Sequence, residues 1–464
     1  MTLVTSIDQS NGLRSDMHAH DGPNVAIVGG GVLGMYLSWR LSDAGINVTL
    51  IESAARTGGL ASPSRIGTVE WDRFYHVILM SDTNLIGMLR ELGLESELRW
   101  GITKTGFYTD DNLVSMSNAL EFLRFPPLNI VDKLRLGATI FYASRIRNWK
   151  SLEAILAVDW LKKWSGRRVL EKIWLPLLKS KLGENYKVAS AAFIWAIIAR
   201  MYAARRADLK QEKFGYVQGG YATILGGLQK RLDDVGVMTR YDATVKEVSG
   251  ATNGVSITTE EGITQHFDHA IMTVSSDLVA NMCVQLTHAE KNRLRNITYQ
   301  GIICTSFLLK SPLSQFYVTN ITDSSIPVTG IIEMTTLVDP DNFGGNSLVY
   351  IPQYLTQSSE YWAKTDEEVY EDCISALERM YPEFDRTQVI SRKIARARTV
   401  LAISTLEYSN RLRPAINTSL SNVSIVNSAQ ISNGTLNVNE TLGVVDDNFE
   451  LLLAKLRQTT EISN

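Results

Sequence analysis

Residues 24–34 read NVAIVGGGVLG, and their meaning depends on the residues after them: a helical pattern as far as Gly45, then NVTLIE at 47–52. NVAIV is an apolar run of strand length, and GVLGMYLSWRLSDAG places its apolar residues at helical spacing. NVTLI is a second short buried strand, so the unit is β-α-β with Gly29-x-Gly31-x-x-Gly34 at its first turn. Gly29 permits the tight turn, Gly31 lets backbone approach a diphosphate, and Gly34 lets the helix pack on the strand. The helix opens at Val32 and Leu33, where free N–H groups and a partial positive charge face the phosphates. Glu52, with Ser53 beside it, ends the second strand and can accept hydrogen bonds from a ribose diol. Strand, helix and acid in register imply a bound dinucleotide in a doubly wound α/β unit.

The continuation, ESAARTGGLASP at 52–63, decides which dinucleotide. Arg56 supplies a countercharge for a diphosphate, and Gly58-Gly59, with Leu60 next to them, gives an extended cofactor a second close backbone approach. This ExxxRxGG pattern resembles the flavoprotein superfamily of amine oxidases, protoporphyrinogen oxidases, phytoene desaturases and UDP-galactopyranose mutases. The resemblance implies FAD, with the arginine and glycines along its pyrophosphate and ribityl chain. It also implies an α/β fold: a Rossmann-like FAD-binding domain, discontinuous in sequence, interleaved with a substrate domain of mixed sheet and helices.

The likeness continues in the superfamily's order. TVEWDRFYHVIL at 68–79 resembles the segment beneath the isoalloxazine, which would bring His76 near the ring. FGYVQGGYATILGGLQKRLDDVGVMTRYDATVKEV at 214–248 resembles the return to the FAD domain, with Val245 in the place of the valine that touches adenine. HAIMTVSSDLV at 269–279 reads as the next strand of that domain. Near the C-terminus Asn427-Ser428 stand where Gly-Asp is usual, and Asn437-Val438 begin a helix whose N-terminus would face the flavin pyrimidine. The stretches DRFYHVI, WLKKWSGRR, IWLPLLKSKLGE and NGTLNVNE are similar to a bacterial branch described as protoporphyrinogen oxidase-like. The expected division is a tail at 1–23, FAD-binding segments 24–84, 214–289 and 416–464, and substrate-domain segments 85–213 and 290–415.

Flavin chemistry asks the protein chiefly for positioning and dryness. A candidate substrate wall is Cys304, Tyr317, Asn320, Glu333 and Tyr350, with His76 as a further candidate. Cys304 aligns with the lysine that approaches flavin N5 in amine oxidases, which speaks against simple amine oxidation. As a buried thiol it also reads as plain core. The resemblance implies hydride removal from a small or medium organic substrate, by C–N or C–C oxidation, with dioxygen or a quinone as final acceptor. A non-redox mutase acting on a nucleotide sugar and a flavin-binding protein without turnover are the rivals. No second GxGxxG marks a separate NAD(P)H domain, and with no cysteine after Cys373 the FAD is expected to be non-covalent.

Composition narrows the partners. With 46 Lys and Arg against 49 Asp and Glu the net charge is −3, and no nucleic-acid-binding module is recognisable, so nucleic acid is not expected. Three scattered cysteines suggest a reducing, cytoplasmic compartment and neither a metal site nor a disulfide framework. The first 23 residues are polar and lack the cationic start and apolar run of a secretory leader. The apolar stretch 189–204 contains Arg200 and reads as a buried helix. Residues 144–213 hold 16 Lys and Arg against six Asp and Glu, and carry Trp149, Trp160, Trp164, Trp174 and Trp195. That combination suits either peripheral contact with an anionic membrane or a solvated basic face over core tryptophans.

Overall fold

In the computed structural model, residues 22–117, 119–206, 213–251, 253–323, 325–432 and 434–463 are described. The expected tail, apart from Gly22 and Pro23, and Asn433 of the NGTLNVNE stretch lie outside them. The strands Val423–Ile425, His269–Met272, Asn24–Val28, Asn47–Ile51 and Met238–Arg240 pair in that order, all parallel. Alternation along them fills two cores, because successive side chains point to opposite faces. Val25, Ile27, Val48 and Leu50 pack under the helices Val32–Asp43, Tyr221–Asp234 and Val438–Ser463. Ala26, Val28 and Ile51 pack against an antiparallel meander, Val245–Ala251, Gly254–Thr259 and Thr264–Phe267. The helix Thr83–Glu91 joins the first core through Leu85, Met88 and Leu89. A boundary at 84/85 therefore cuts an element whose apolar face belongs with the parallel sheet.

The second sheet has seven strands, in the order Val389–Ala402, Tyr299–Leu309, Ser347–Thr356, Gly330–Glu333, Val318–Ile321, Thr105–Thr109 and Asn112–Ser115. Only Val318–Ile321 with Thr105–Thr109 is a parallel pair. Every residue of Tyr299–Leu309 is buried, as a central strand covered on both faces must be. One face, with Phe307, Val349 and Ile351, lies under the helix Asp366–Met380, whose start is fixed by a capping box between Thr365 and Glu368. The other face, with Cys304, Tyr350 and Ile332, packs against Leu60, Trp71 and Phe74.

The remaining helices, including Ile130–Ala143, Ala157–Ser165, Leu175–Leu182 and Ala191–Arg206, form their own core. Among the described residues no helix is long and apolar enough to cross a membrane. Trp160 and Trp174 are buried in this core and Trp149 and Trp195 pack against it. Of the five tryptophans that drew attention to 144–213, Trp164 alone is exposed, and it stacks on Tyr142 at 4.0 Å. More strongly exposed apolar side chains lie upstream, on Ile130–Ala143: Ile130 is 60% exposed, Leu134 67% and Phe141 51%.

Candidate active site

The first glycine loop does what its spacing requires. Gly29 has a φ of 114°, and a Cβ on Gly34 would lie 1.9 Å from the Gly29 carbonyl oxygen, so only glycine lets helix and strand approach. Gly31, the N-cap residue of Val32–Asp43, faces open space, and that helix has neither a side-chain cap nor an acid in its first turn. Its leading N–H groups, beginning at Val32 and Leu33, are thus left for an anion. Glu52 is held in place: Oε2 accepts from the Gly30 N–H at 2.7 Å and Oε1 from the Ala54 N–H at 2.8 Å. The Ser53 hydroxyl donates to the same carboxylate at 3.2 Å.

The second glycine pair meets the first. The Gly58 N–H donates to the Gly30 carbonyl at 2.7 Å, and a Cβ on Gly59 would come within 3.0 Å of the Gly31 Cα. Arg56 is exposed and pairs with Glu70 at 3.1 Å. Sequence reasoning missed Arg73, which is half-buried and donates to the Gly59 carbonyl at 2.6 Å. Burial, and then the neighbouring Arg56 charge, pull its guanidinium below the ordinary value. Arg73 and Arg56, the latter paired with Glu70, are two guanidiniums beside the glycine loops and suit a diphosphate. Arg73 Nε and Trp71 Nε1 are buried donors without a hydrogen-bond acceptor among the described residues. Backbone cradle, paired cations and orphaned donors fit FAD.

Leu60 leaves this loop and packs on the Cys304–Tyr350 face of the mixed sheet, which joins the diphosphate cradle to the proposed substrate wall. Asp72, buried, accepts from the Tyr221 N–H at 2.8 Å and so caps the helix Tyr221–Asp234. Its backbone carbonyl accepts from the Tyr350 hydroxyl at 2.6 Å. His76 Nδ1 lies 3.4 Å from the Asp72 carboxylate, and its ring rests 4.5 Å from that of Tyr221. Those contacts account for His76 as a packed residue beside the helix cap. Tyr75, its neighbour, turns to the sheet and shares a hydrogen bond with Tyr354 at 2.9 Å.

Register sorts the expected wall residues. Tyr350 pairs with Ser306 and with Ile332, and Val318 pairs with Ile332, so Cys304, Tyr350 and Asn320 share one face. Cys304 is fully buried, and burial pushes its thiol up, away from thiolate. Tyr317 packs in the same layer, edge-on to Phe214 at 5.2 Å. Glu333 falls on the other side: it pairs with Val349, under the helix Asp366–Met380, and accepts from the Leu313 and Ser314 amides and the Ser347 hydroxyl. The expectation that it lines the wall fails on strand parity.

At the C-terminal end the side chains are engaged internally. Asn427 donates to the Val274 carbonyl at 2.9 Å and accepts from the Ala429 N–H at 3.1 Å, starting the short turn at Ser428. Asn437 caps the helix Val438–Ser463 by accepting from the Glu440 N–H at 3.0 Å. Asn439 reaches across to cap Thr83–Glu91, accepting from the Asn84 N–H at 2.9 Å. Val438, the first residue of this helix, is buried. Val245 is buried beneath the parallel sheet, beginning two residues after Ala243, whose N–H donates to the Glu52 carbonyl.

Comparison with known proteins agrees with this arrangement. The model of the flavin containing amine oxidoreductase family matches residues 34–423. Protoporphyrinogen oxidase 2, chloroplastic/mitochondrial, of Arabidopsis thaliana is 28% identical over 124 residues, 26% of this chain and 24% of that protein. The match thus spans about a quarter of the length of that relative. A crystal structure from Exiguobacterium sp. 255-15, provisionally named a protoporphyrinogen oxidase, superposes with a TM-score of 0.75 at 14% identity, over 94% of this chain and 100% of that one. Putrescine oxidase bound to putrescine superposes with a TM-score of 0.72 at 16% identity, over 93% and 99% of the two chains. These two structures show a shared fold. With the family model covering most of its length, the chain belongs to the flavin containing amine oxidoreductase family.

Proposed function

We propose that the chain removes a hydride from a small or medium organic substrate, oxidising a C–C or C–N bond, with dioxygen or a quinone taking the electrons. The observation that supports this most directly is the layer formed by Cys304, Tyr350, Trp71, Tyr75 and Tyr354 against the glycine cradle. When bound, FAD supplies a hydride acceptor at its N5 atom. The chain's own part is placement. Gly31, Gly58 and Gly59 let backbone close on the diphosphate, Arg56 and Arg73 balance its charge, and Glu52 accepts from the ribose. The phenolic and apolar wall excludes water and orders the substrate, which lowers the entropic part of the barrier. Cys304 acts there as packing, since burial keeps its thiol protonated.

The test is anaerobic mixing of the yellow holoprotein with NADPH and, separately, with panels of amines, porphyrinogens and polyenes. Bleaching of the flavin by an organic compound, with NADPH slow or inert, is the expected result. Fast bleaching by NADPH alone, with every organic compound inert, would sink the proposal.

The cellular setting proposed is cytoplasmic, with peripheral contact to an anionic membrane through the outward face of Ile130–Ala143. Its exposed Ile130, Val131, Leu134 and Phe141 are flanked by Arg124, Arg135, Arg145, Arg147 and Lys150, all exposed. An apolar stripe with a basic rim suits shallow insertion between acidic headgroups. Flotation with vesicles containing phosphatidylglycerol is expected to carry the protein, and pure phosphatidylcholine vesicles to carry little. The double variant Leu134→Ser, Phe141→Ser should cut recovery several-fold, and equal recovery of variant and parent would refute the contact.

A further inference from the structure

The layer over the glycine cradle ends in a group that the function above does not use. Lys181 closes the helix Leu175–Leu182, and its Nζ donates to the Tyr75 hydroxyl at 2.7 Å. The Tyr75 hydroxyl lies 2.9 Å from that of Tyr354, and the ammonium sits 5.3 Å and 5.2 Å from the two ring centroids. Tyr75 is two residues from Arg73, which holds the Gly59 carbonyl, and its ring lies 6.4 Å from that of Tyr350. The trio therefore runs from an exposed ammonium down to the wall beside Cys304.

An ammonium has three donors, and one is committed to Tyr75. Among the described residues no carboxylate pairs with Lys181; the nearest acid along the chain, Glu184, is paired with Lys187. The acids near the wall are engaged elsewhere. Asp72 caps the helix Tyr221–Asp234, Asp82 accepts twice from Arg200, and Glu333 points to the opposite face of the sheet. The hydrogen bond to the Tyr75 hydroxyl holds the ammonium in place without neutralising it. A wall with a fixed positive group and no free negative one repels a protonated amine and attracts an anion.

We infer that Lys181, positioned by Tyr75 and Tyr354, is a specificity-determining subsite for a carboxylate group on the substrate. Two remaining ammonium donors and the tyrosine hydroxyls match the two oxygens of a carboxylate, and the reacting carbon then lies deeper, along the wall toward Cys304. The subsite rests on the reading of that wall as the substrate wall.

The experiment uses the FAD-loaded protein and a pair of probes with the same ring and opposite charge, benzoate and benzylamine. Each is titrated at neutral pH while the absorption spectrum of the bound flavin is monitored. Benzoate is expected to perturb the flavin at lower concentration than benzylamine. Lys181→Met should weaken benzoate about tenfold, the worth of one charge-assisted contact near the surface, and leave benzylamine unchanged or tighter. Lys181→Arg should keep the preference for benzoate. An unchanged benzoate affinity in Lys181→Met, or tighter binding of benzylamine than benzoate by the parent, overturns the subsite. A chain that purifies without flavin would instead strike at the functional reading beneath it.

Discussion

Gly31→Ala is expected to fold like the parent and to purify without its flavin, whereas Gly34→Ala is expected to lose the fold around the glycine loop itself. The two positions look alike in sequence and differ in what a methyl group would meet. Gly31 has φ −67° and ψ 173°, which any residue adopts, and nothing lies within 4 Å of its would-be Cβ. The only material that would collide there is a cofactor brought against the helix N-terminus. Loss of that approach should weaken FAD by about 3 kcal/mol or more, a hundredfold or greater. At Gly34 the methyl would sit 1.9 Å from the Gly29 carbonyl oxygen. Relief requires the helix Val32–Asp43 to lift off a strand whose Val25 and Ile27 are fully buried, at a cost of more than about 4 kcal/mol. The flavin-to-protein ratio and the thermal midpoint of each apoprotein, measured side by side, check both expectations. A Gly31→Ala protein that stays fully yellow would place the diphosphate somewhere else.

That contrast also shows which parts of the site are legible in the sequence. The first strand, Gly29 to Gly34, and Glu52 lie within 29 residues and act through local geometry, so spacing alone locates them. Gly58-Gly59 are close enough in sequence to be read with them, and the structure adds that the two loops touch through Gly58 and Gly30. Arg73 is not legible in the sequence because a half-buried arginine and a fully exposed one have the same letter; its contact with the Gly59 carbonyl sets it apart. The Tyr75–Tyr354 bond joins residues 279 positions apart, and no local pattern encodes it. Glu333 was misplaced for a different reason. A strand's two faces alternate, and a single-residue uncertainty in register exchanges wall for core. The tryptophans of 144–213 drew attention to a surface, yet most of them fill the helical core, and the exposed apolar residues belong to a helix of ordinary composition. The sequence places Asn427 and Asn437 near the expected ribityl chain and ring. In the structure both amides serve local turns.

The displaced Glu333 carries its own expected result: the protein should lose stability as pH rises through the neutral range, and Glu333→Gln should abolish that part of the loss. The side chain is 1% exposed and accepts from the Leu313 amide at 3.0 Å, the Ser314 amide at 3.0 Å and the Ser347 hydroxyl at 2.6 Å. Burial nevertheless outweighs these bonds and pushes its carboxyl from 4.5 up to about 7. A carboxyl whose folded value is raised binds its proton more tightly in the native state, so it favours folding at low pH. The benefit is complete below the unfolded value of 4.5 and falls away as pH rises toward about 7, opposite to a salt-bridged carboxylate. Between about pH 5.5 and about pH 8 the shift corresponds to about 2 kcal/mol of lost stability. Glutamine keeps an acceptor oxygen for the two amides and has no proton to lose, so its urea midpoint should lack this component across the same window. Glu333→Ala, by contrast, should be weaker than the parent at every pH, because two partly buried amides and a hydroxyl lose their acceptor. Both variants should retain the parent's flavin spectrum, since the carboxylate sits on the helix-covered face of the sheet. Identical pH slopes for the parent and the glutamine variant would mean that the carboxyl is already ionised throughout this range, and that the three hydrogen bonds outweigh its burial.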